Sequence, residues 1–234
     1  MDPTRILDNQ LRAALYDSCD PVFTDCVLST VDWQRLHTLL SSDLAAFSSK
    51  DPAAHGDPLL VLQSYTAFKA VLHYRLSHAI LTAQYPIELS ALRLGYAYQL
   101  ANRGKMQSGI EIHPNASIGE RFILDHGWGT VIGETAEIGD DCYILGGVTL
   151  GARGIFDNSD DKRHPTLGNR VQVGAFARLF GRIHIGDDTF IGPNCVIKDD
   201  IPSNSVVTIR SELQLVRQRK KDTPKTSNSL IHNH

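Results

Sequence analysis

Cysteine is scarce in this chain. Four occur in 234 residues, Cys19, Cys26, Cys142 and Cys195, and no two stand as a C-x-x-C pair. That spacing excludes a disulfide-built scaffold and a zinc finger, and it fits a reducing compartment, so the cytoplasm is the expected location. Long apolar runs are missing too. With no stretch of about eighteen apolar residues, no membrane span is expected. The opening MDPTRILDNQ has neither the basic nor the apolar region of a secretion signal. Positive charge is not in surplus. The formal net charge is −3, which gives no broad basic surface for nucleic acid. What remains is ordinary globular usage, 42% hydrophobic and 21% charged, enough for one large domain or two small ones.

Up to Ser108 the apolar residues follow helical spacing. Leu36, Leu39, Leu40, Leu44 and Phe47 predict one helix. Tyr65, Phe68, Leu72, Leu76, Ala79 and Ile80 predict another, and Asp57-Pro58 reads as an N-cap followed by a first-turn proline. Pro86 is expected to open a further helix carrying Leu89, Leu92 and Tyr96. All these apolar residues are expected in the core.

After Ser108 the period becomes six. Ile112, Ile118 and Leu124 form one series, Ile132, Ile138, Ile144 and Leu150 a second, and Leu167, Val173, Leu179, Ile185, Ile191 and Ile197 a third. Glycine follows the aliphatic residue at many of these places, as at Gly119, Gly139, Gly174 and Gly186. A small or modest residue often stands two before it, as at Ala116, Ala136, Cys142, Val148, Ala177, Thr189 and Cys195. Short parallel strands wound into a three-sided prism need one inward aliphatic residue per side, a small residue near the corner, and glycine to ease the bend. Stacked coils then share one core. The fold class is therefore α+β: a helical domain over residues 1–108, a parallel β-helix of hexapeptide repeats over 109–200, and a C-terminal tail over 201–234. From Arg217 that tail is basic and then polar, which reads as a solvated terminus, with a docking or phosphate-contacting segment as the other reading.

Two breaks interrupt the period. Leu124 to Ile132 is a step of eight, and Leu150 to Leu167 leaves eleven extra residues. Breaks in a solenoid become loops, often on a binding face. The first holds Asp125-His126, and the second ends in Arg163-His164-Pro165. A histidine at such a break can serve as a general base, and a carboxylate can orient it. Glu111 lies fifteen residues before His126, so neighbouring coils could bring them together. Arg163 could grip a carboxylate in bidentate fashion, and Asp125 with another acid could hold an ammonium. Taken singly, each of these residues reads first as solvated surface, and the pairing of Glu111 with His126 at a break beside a long loop weighs against that reading without deciding it.

At these residues the chain resembles the serine acetyltransferase family. The carriers are GIEIHPNASIGERFILDHGWGTVIGETAEIGDD, the later GGVTLG and KRHPTLGNRVQVGA, and KDPA at Lys50–Ala53. The combination of the DH-to-GET block with a downstream RHP is specific. The resemblance implies transfer of an acetyl group from acetyl-CoA to the hydroxyl of serine, as in cysteine biosynthesis. It implies that His126 is the catalytic base and Glu111 its acid partner. Asp51 and Asp125 are implied as carboxylates of the serine site, and Arg163 and His164 as the loop residues on the substrate carboxylate. Gly151, Ala152 and Ala175 match positions near the thioester end of coenzyme A. No metal is implied. The resemblance also implies trimers or dimers of trimers with sites between subunits, and a left-handed β-helix, whereas the general crossover rule alone would give a right hand.

The chain departs from that family's pattern in places. Gly151-Ala152-Arg153-Gly154 replaces Gly-Gly-Thr-Gly, Phe176 replaces a small residue, and SVVTIRSELQLV stands where a Gly-Val-Pro-Ala turn is usual. The chain does not end in the isoleucine through which many members bind cysteine synthase, so that partnership is not expected. The main alternative is an acyltransferase acting on another hydroxylated amino acid or biosynthetic intermediate. A remote one is a γ-class zinc lyase using His113, His126 and His164, against which His113 precedes Pro114 at a coil corner. The joint presence of Glu111, Asp125, His126 and Arg163 argues against a third, a catalytically silent scaffold.

Overall fold

A computed structural model describes residues 2–154 and 162–210. The basic tail beginning at Arg217 and Phe156 of the second break lie outside the described residues. The chain opens with helices α1 (Pro3–Ser18), α2 (Pro21–Thr30) and α3 (Trp33–Lys50), followed by a 3₁₀ turn (Pro52–Ala54). Next come α4 (Pro58–Ser64), α5 (Thr66–Thr82), α6 (Ile87–Ser90) and α7 (Arg93–Ser108). Asp-Pro is the starting device used repeatedly. Asp2, Asp20, Asp51 and Asp57 each cap a helical N-terminus with the carboxylate on a backbone N–H, and each is followed by proline at the first turn.

The helices predicted over Leu36–Phe47 and Tyr65–Ile80 are α3 and α5, with Tyr65 serving as the N-cap residue of α5. The helix predicted from Pro86 is corrected. It closes after one turn as α6, where Leu92 N–H reaches the Leu89 carbonyl in a three-residue bond (3.0 Å), and Tyr96 belongs to α7. Leu92 is not core, being 44% exposed at that break.

Among the described residues, fourteen short strands follow: β1 (Glu111–Ile112), β2 (Ser117–Ile118), β3 (Ile123–Asp125), β4 (Val131–Ile132), β5 (Glu137–Ile138), β6 (Tyr143–Leu145), β7 (Thr149–Gly151), β8 (Thr166–Leu167), β9 (Gln172–Val173), β10 (Arg178–Phe180), β11 (His184–Ile185), β12 (Phe190–Ile191), β13 (Val196–Ile197) and β14 (Val206–Val207). They form three all-parallel sheets. The first face is β1-β4-β7-β10-β13, the second β2-β5-β8-β11 and the third β3-β6-β9-β12-β14. Each round of three strands is one coil. Glu111 stacks on Val131, Val131 on Thr149, Thr149 on Arg178 and Arg178 on Val196. The first and third of these steps exceed eighteen residues by two and by eleven, as the breaks require.

All thirteen aliphatic residues of the six-residue series are buried, and so are Ala116, Ala136, Cys142, Val148, Ala177, Thr189 and Cys195. The period is therefore a core period. The bend itself is a correction. The residues with positive φ at the corner between second and third faces are Arg121, Asp141, Arg170 and Asp188, not the glycines. The glycines instead permit close stacking of coils. A Cβ on Gly186 would lie 2.3 Å from the Ser203 nitrogen, and one on Gly174 would lie 2.6 Å from the Pro193 nitrogen.

The helices sit on the first coil. Helices α3 and α5 pack on β3, and α5 and α7 on β1. Tyr74 Oη donates to the Ala116 carbonyl (2.6 Å), and His78 Nδ1 donates to the Pro114 carbonyl (2.7 Å). Among the described residues, no helix is long and apolar enough to cross a membrane.

Candidate active site

The first register break forms the corner between the third and first faces. Asp125 closes β3, and the chain then turns through His126 (φ 57°), Gly127 (φ 64°) and Gly129 (φ 76°). The turn is closed by Gly127 N–H to the Asp125 carbonyl (2.6 Å) and Trp128 N–H to the His126 carbonyl (2.8 Å). A left-handed conformation at a residue with a side chain costs about 1–2 kcal/mol. Here it throws the imidazole outward, 85% exposed, with Nε2 3.8 Å from Asp125 Oδ2. Glycine suits position 127. Its φ is positive, and a Cβ there would lie 2.4 Å from Ile110 Cδ1.

Asp125 is held from the next coil by Tyr143, whose hydroxyl donates to Oδ2 (2.8 Å). Asp51 arrives from the helical segment, at the end of α3. Its Oδ1 caps Ala53 N–H (2.9 Å), and its Oδ2 accepts from the Tyr65 hydroxyl (2.7 Å). The two carboxylates share one neighbourhood. The Tyr65 phenol is pushed up to about 12, first by its bond to Asp51 and then by burial and the charges of Asp51 and Asp125. The Tyr143 phenol is raised by burial first, then by Asp125 and Asp51. Asp51, Asp125 and His126 are thus brought to one place by α3 and β3.

Glu111 flanks the same corner on the first face. Its N–H donates to the Thr130 carbonyl (2.9 Å), and Gly129 N–H donates to the Gly109 carbonyl (2.9 Å), so the His126 turn leans on the start of β1. The Glu111 carboxylate is engaged by Lys105 Nζ from α7 at 2.5 Å. The expectation that neighbouring coils bring Glu111 to His126 is adjusted accordingly. Both belong to the first coil, close along the backbone, and the ion pair of Glu111 is with Lys105.

Arg163 and His164 lie elsewhere, on the corner between first and second faces. Arg163 pairs with Glu134, and its N–H donates to Thr135 Oγ1 (3.0 Å). The His164 ring is buried, with Nδ1 2.9 Å from Thr135 Oγ1. It lies on the bare α-carbon of Gly133, where a Cβ would come within 2.1 Å of it. Burial first, then Arg163, lowers the proton affinity of His164. His113 stands on the same corner, edge-on to Tyr98 at 5.1 Å, and burial lowers its proton affinity too. One face of the prism therefore separates Arg163 and His164 from His126.

Gly151 and Ala152, half-buried, end the first face near that second corner. Ala175, also half-buried, lies in the turn before β10, on the corner of His126. In one chain these three do not meet. The departures from the family pattern are visible at the same places. Arg153 lies against Gly181 and donates to the Lys198 carbonyl. Phe176, at φ 62°, lays its ring over Gly147, where a Cβ would be 2.4 Å from it. Among the described residues no three His, Cys, Asp or Glu gather as a metal site.

Sequence reasoning overlooked Tyr143, Lys105, Glu134 and Thr135, and it took Tyr65 only as core. Glu134 and Thr135 stood within the quoted GET block. Tyr143 carried a faint signal, an aromatic ring in the outward slot between inward Cys142 and Ile144. Tyr65 and Lys105 carried none, because their partners are distant in sequence or on another element.

Comparison with known proteins follows the same lines. Residues 164–199 match the family model described as bacterial transferase hexapeptide (six repeats). The chain is similar to a serine acetyltransferase of Helicobacter pylori, 48% identical over 166 residues, covering 71% of this chain and 90% of the relative. A serine acetyltransferase of Mycobacterium tuberculosis is 41% identical over 170 residues, covering 73% and 69%. The crystal structure of Neisseria gonorrhoeae serine acetyltransferase in complex with serine superposes with a TM-score of 0.73 at 30% identity, covering 90% of this chain and 83% of that one. The solenoid is the left-handed β-helix of such enzymes.

Proposed function

This chain belongs to the serine acetyltransferase family, and from that premise we propose that it forms O-acetylserine, moving an acetyl group from acetyl-CoA to the side-chain hydroxyl of serine. The observation that carries the reading is the convergence of Asp51 and Asp125 beside an exposed histidine. Two carboxylates suit the ammonium of a zwitterion, and a base stands within reach of what they hold. A sugar or a neutral alcohol would call for neither charge.

In this reading His126 takes the proton from the serine hydroxyl as its oxygen attacks the thioester carbon. The resulting tetrahedral intermediate collapses with loss of the coenzyme thiolate, and the imidazolium returns the proton to that sulfur. Glu111 orients the imidazole and stabilises its cation, as in triad logic. Arg163 and His164 hold the serine carboxylate. Gly151, Ala152 and Ala175 lie along the thioester arm, where small half-buried residues leave room for a thin chain.

Arg163 and His126 stand on different corners of one chain, so a site using both draws them from two copies. A homo-oligomer, a trimer or a pair of trimers, follows, acting in the cytoplasm. The chain divides into a helical domain over residues 1–108, a β-helix domain over 109–200 and a tail over 201–234, the β-helix boundary moving outward because β14 at Val206–Val207 still pairs with β12.

The test is thiol release with purified protein, acetyl-CoA being crossed against serine, homoserine and threonine. Serine should react fastest, and serine methyl ester and N-acetylserine should be poor acceptors. If either modified serine reacts as well as free serine, the zwitterion pocket is wrong.

A further inference from the structure

Each carboxylate proposed for the acceptor's ammonium is tied to a tyrosine, and neither tyrosine belongs to the motifs that identified the site. Asp51 and Tyr65 are both helical-segment residues, joined at 2.7 Å across fourteen positions. Asp125 and Tyr143 are both solenoid residues, joined at 2.8 Å across one coil. The arrangement is built twice, from unrelated elements, and each phenol feels the charge of both carboxylates. In each half the phenol gives its only O–H proton to Oδ2 of the carboxylate. The phenol oxygen keeps its acceptor lone pairs, Asp125 keeps Oδ1 for other use, and Asp51, whose Oδ1 also accepts Ala53 N–H, keeps a second lone pair on each oxygen.

A free aspartate on the surface can swing about χ1. Asp125 has a competing destination, since its Oδ2 is already 3.8 Å from His126 Nε2. If the Tyr143 bond were lost, the carboxylate could rotate onto the imidazole and away from an acceptor. Asp51 is held at two points, by Ala53 N–H at one oxygen and Tyr65 at the other.

We propose that Tyr65 and Tyr143 are positioning residues that fix Asp51 and Asp125 as a two-sided ammonium cradle, and so set the preference for an acceptor with a free amino group. This deepens the proposed function and rests on it. Neither tyrosine touches the reacting atoms. Their effect belongs to acceptor binding and discrimination, with the chemical step largely spared.

The experiment is steady-state kinetics on Tyr65→Phe, Tyr143→Phe and the double variant. Phenylalanine keeps the ring and its packing and deletes only the hydroxyl. Acceptors are serine and glyceric acid, which lacks the amino group, and acetyl-CoA is varied separately. The expected result is a rise of about tenfold in the serine KM for each single variant, with kcat falling less than about twofold. The preference for serine over glyceric acid should shrink by the same factor. The KM for acetyl-CoA should stay within about twofold. If the unaltered protein acetylates serine and both single variants keep its serine KM and its preference within about twofold, the inference is overturned and the proposed function stands. If acetyl-CoA and serine constants worsen together and the melting temperature drops, the tyrosines are general structural residues and the inference is again overturned. Failure of the unaltered protein to acetylate serine overturns both.

Discussion

Asp43 and Arg75 meet inside the seam between helices and solenoid, with side chains 0% and 3% exposed. The guanidinium gives Nε–H to Asp43 Oδ2 at 2.9 Å and Nη2–H to Oδ1 at 3.2 Å. Its remaining reach ends on the carbonyls of Ile118 (2.6 Å) and Gly119 (2.5 Å), while Asp43 Oδ1 also accepts Phe122 N–H (2.9 Å). α3 and α5 are thereby fastened to the first coil, two helical turns before α3 delivers Asp51. Asp43→Ala would leave a buried guanidinium without its counter-charge. That costs about 3–5 kcal/mol, and joint replacement by Asp43→Leu and Arg75→Met should recover only part of it, because Phe122 N–H and the Ile118 and Gly119 carbonyls lose their side-chain partners. Urea melts of the three proteins decide the matter. A loss under about 1 kcal/mol in Asp43→Ala would show that the seam is held by apolar packing alone.

Removal of the base should abolish turnover without disturbing the fold. His126 is solvent-facing at a turn held by backbone bonds, so His126→Ala should melt within a few degrees of the parent. The rate should fall about a hundred- to ten-thousand-fold. A variant retaining half the activity would reassign the base.

Glu111→Gln should act chiefly on turnover. The proposed role of Glu111 is to orient and stabilise the imidazolium, which matters most as the proton moves. If only the serine KM rose, Glu111 would belong to the acceptor pocket, and its pairing with Lys105 would be the more telling contact.

Arg163→Ala should weaken acceptor use strongly and leave the acetyl-CoA KM nearly unchanged. The Arg163 guanidinium is already oriented by Glu134, as a carboxylate grip requires. Equal loss for serine and for serine methyl ester would show that Arg163 does not read the carboxylate.

Stability should fall on mild acidification. His73, His78, His113 and His164 all have their proton affinity lowered from the ordinary 6.5, with burial the first cause in each. Well above 6.5 these rings are neutral whether folded or unfolded, and their contribution to stability is complete. Below it the unfolded chain takes up protons that the folded chain resists, so stability is lost as pH drops through 6.5 toward the folded values. The melting temperature should therefore decline between about pH 7.5 and about pH 5.5, and less steeply in His73→Gln. A flat profile would show that these rings protonate without unfolding.

The six-residue period was fully legible, because an inward aliphatic at every side of the prism is a local, repeated demand that each strand states for itself. Asp57-Pro58 marked a helix start for the same local reason. His126 was legible as a break in that period, since a bulge has to displace the register. Other features depended on contacts that no local pattern encodes. The split of the Pro86 helix turned on how one turn closed and left Leu92 in solvent. The pairing of Asp51 with Tyr65, of Asp125 with Tyr143 and of Glu111 with Lys105 required separate elements to be packed first. The placing of Arg163 and His126 on different corners followed from winding the coils. Sequence by itself determined the repeat, its core and the residue types available for chemistry. Tertiary structure decided which of them share a corner, because a side chain's partners are set by the stacking of coils and the docking of helices upon them.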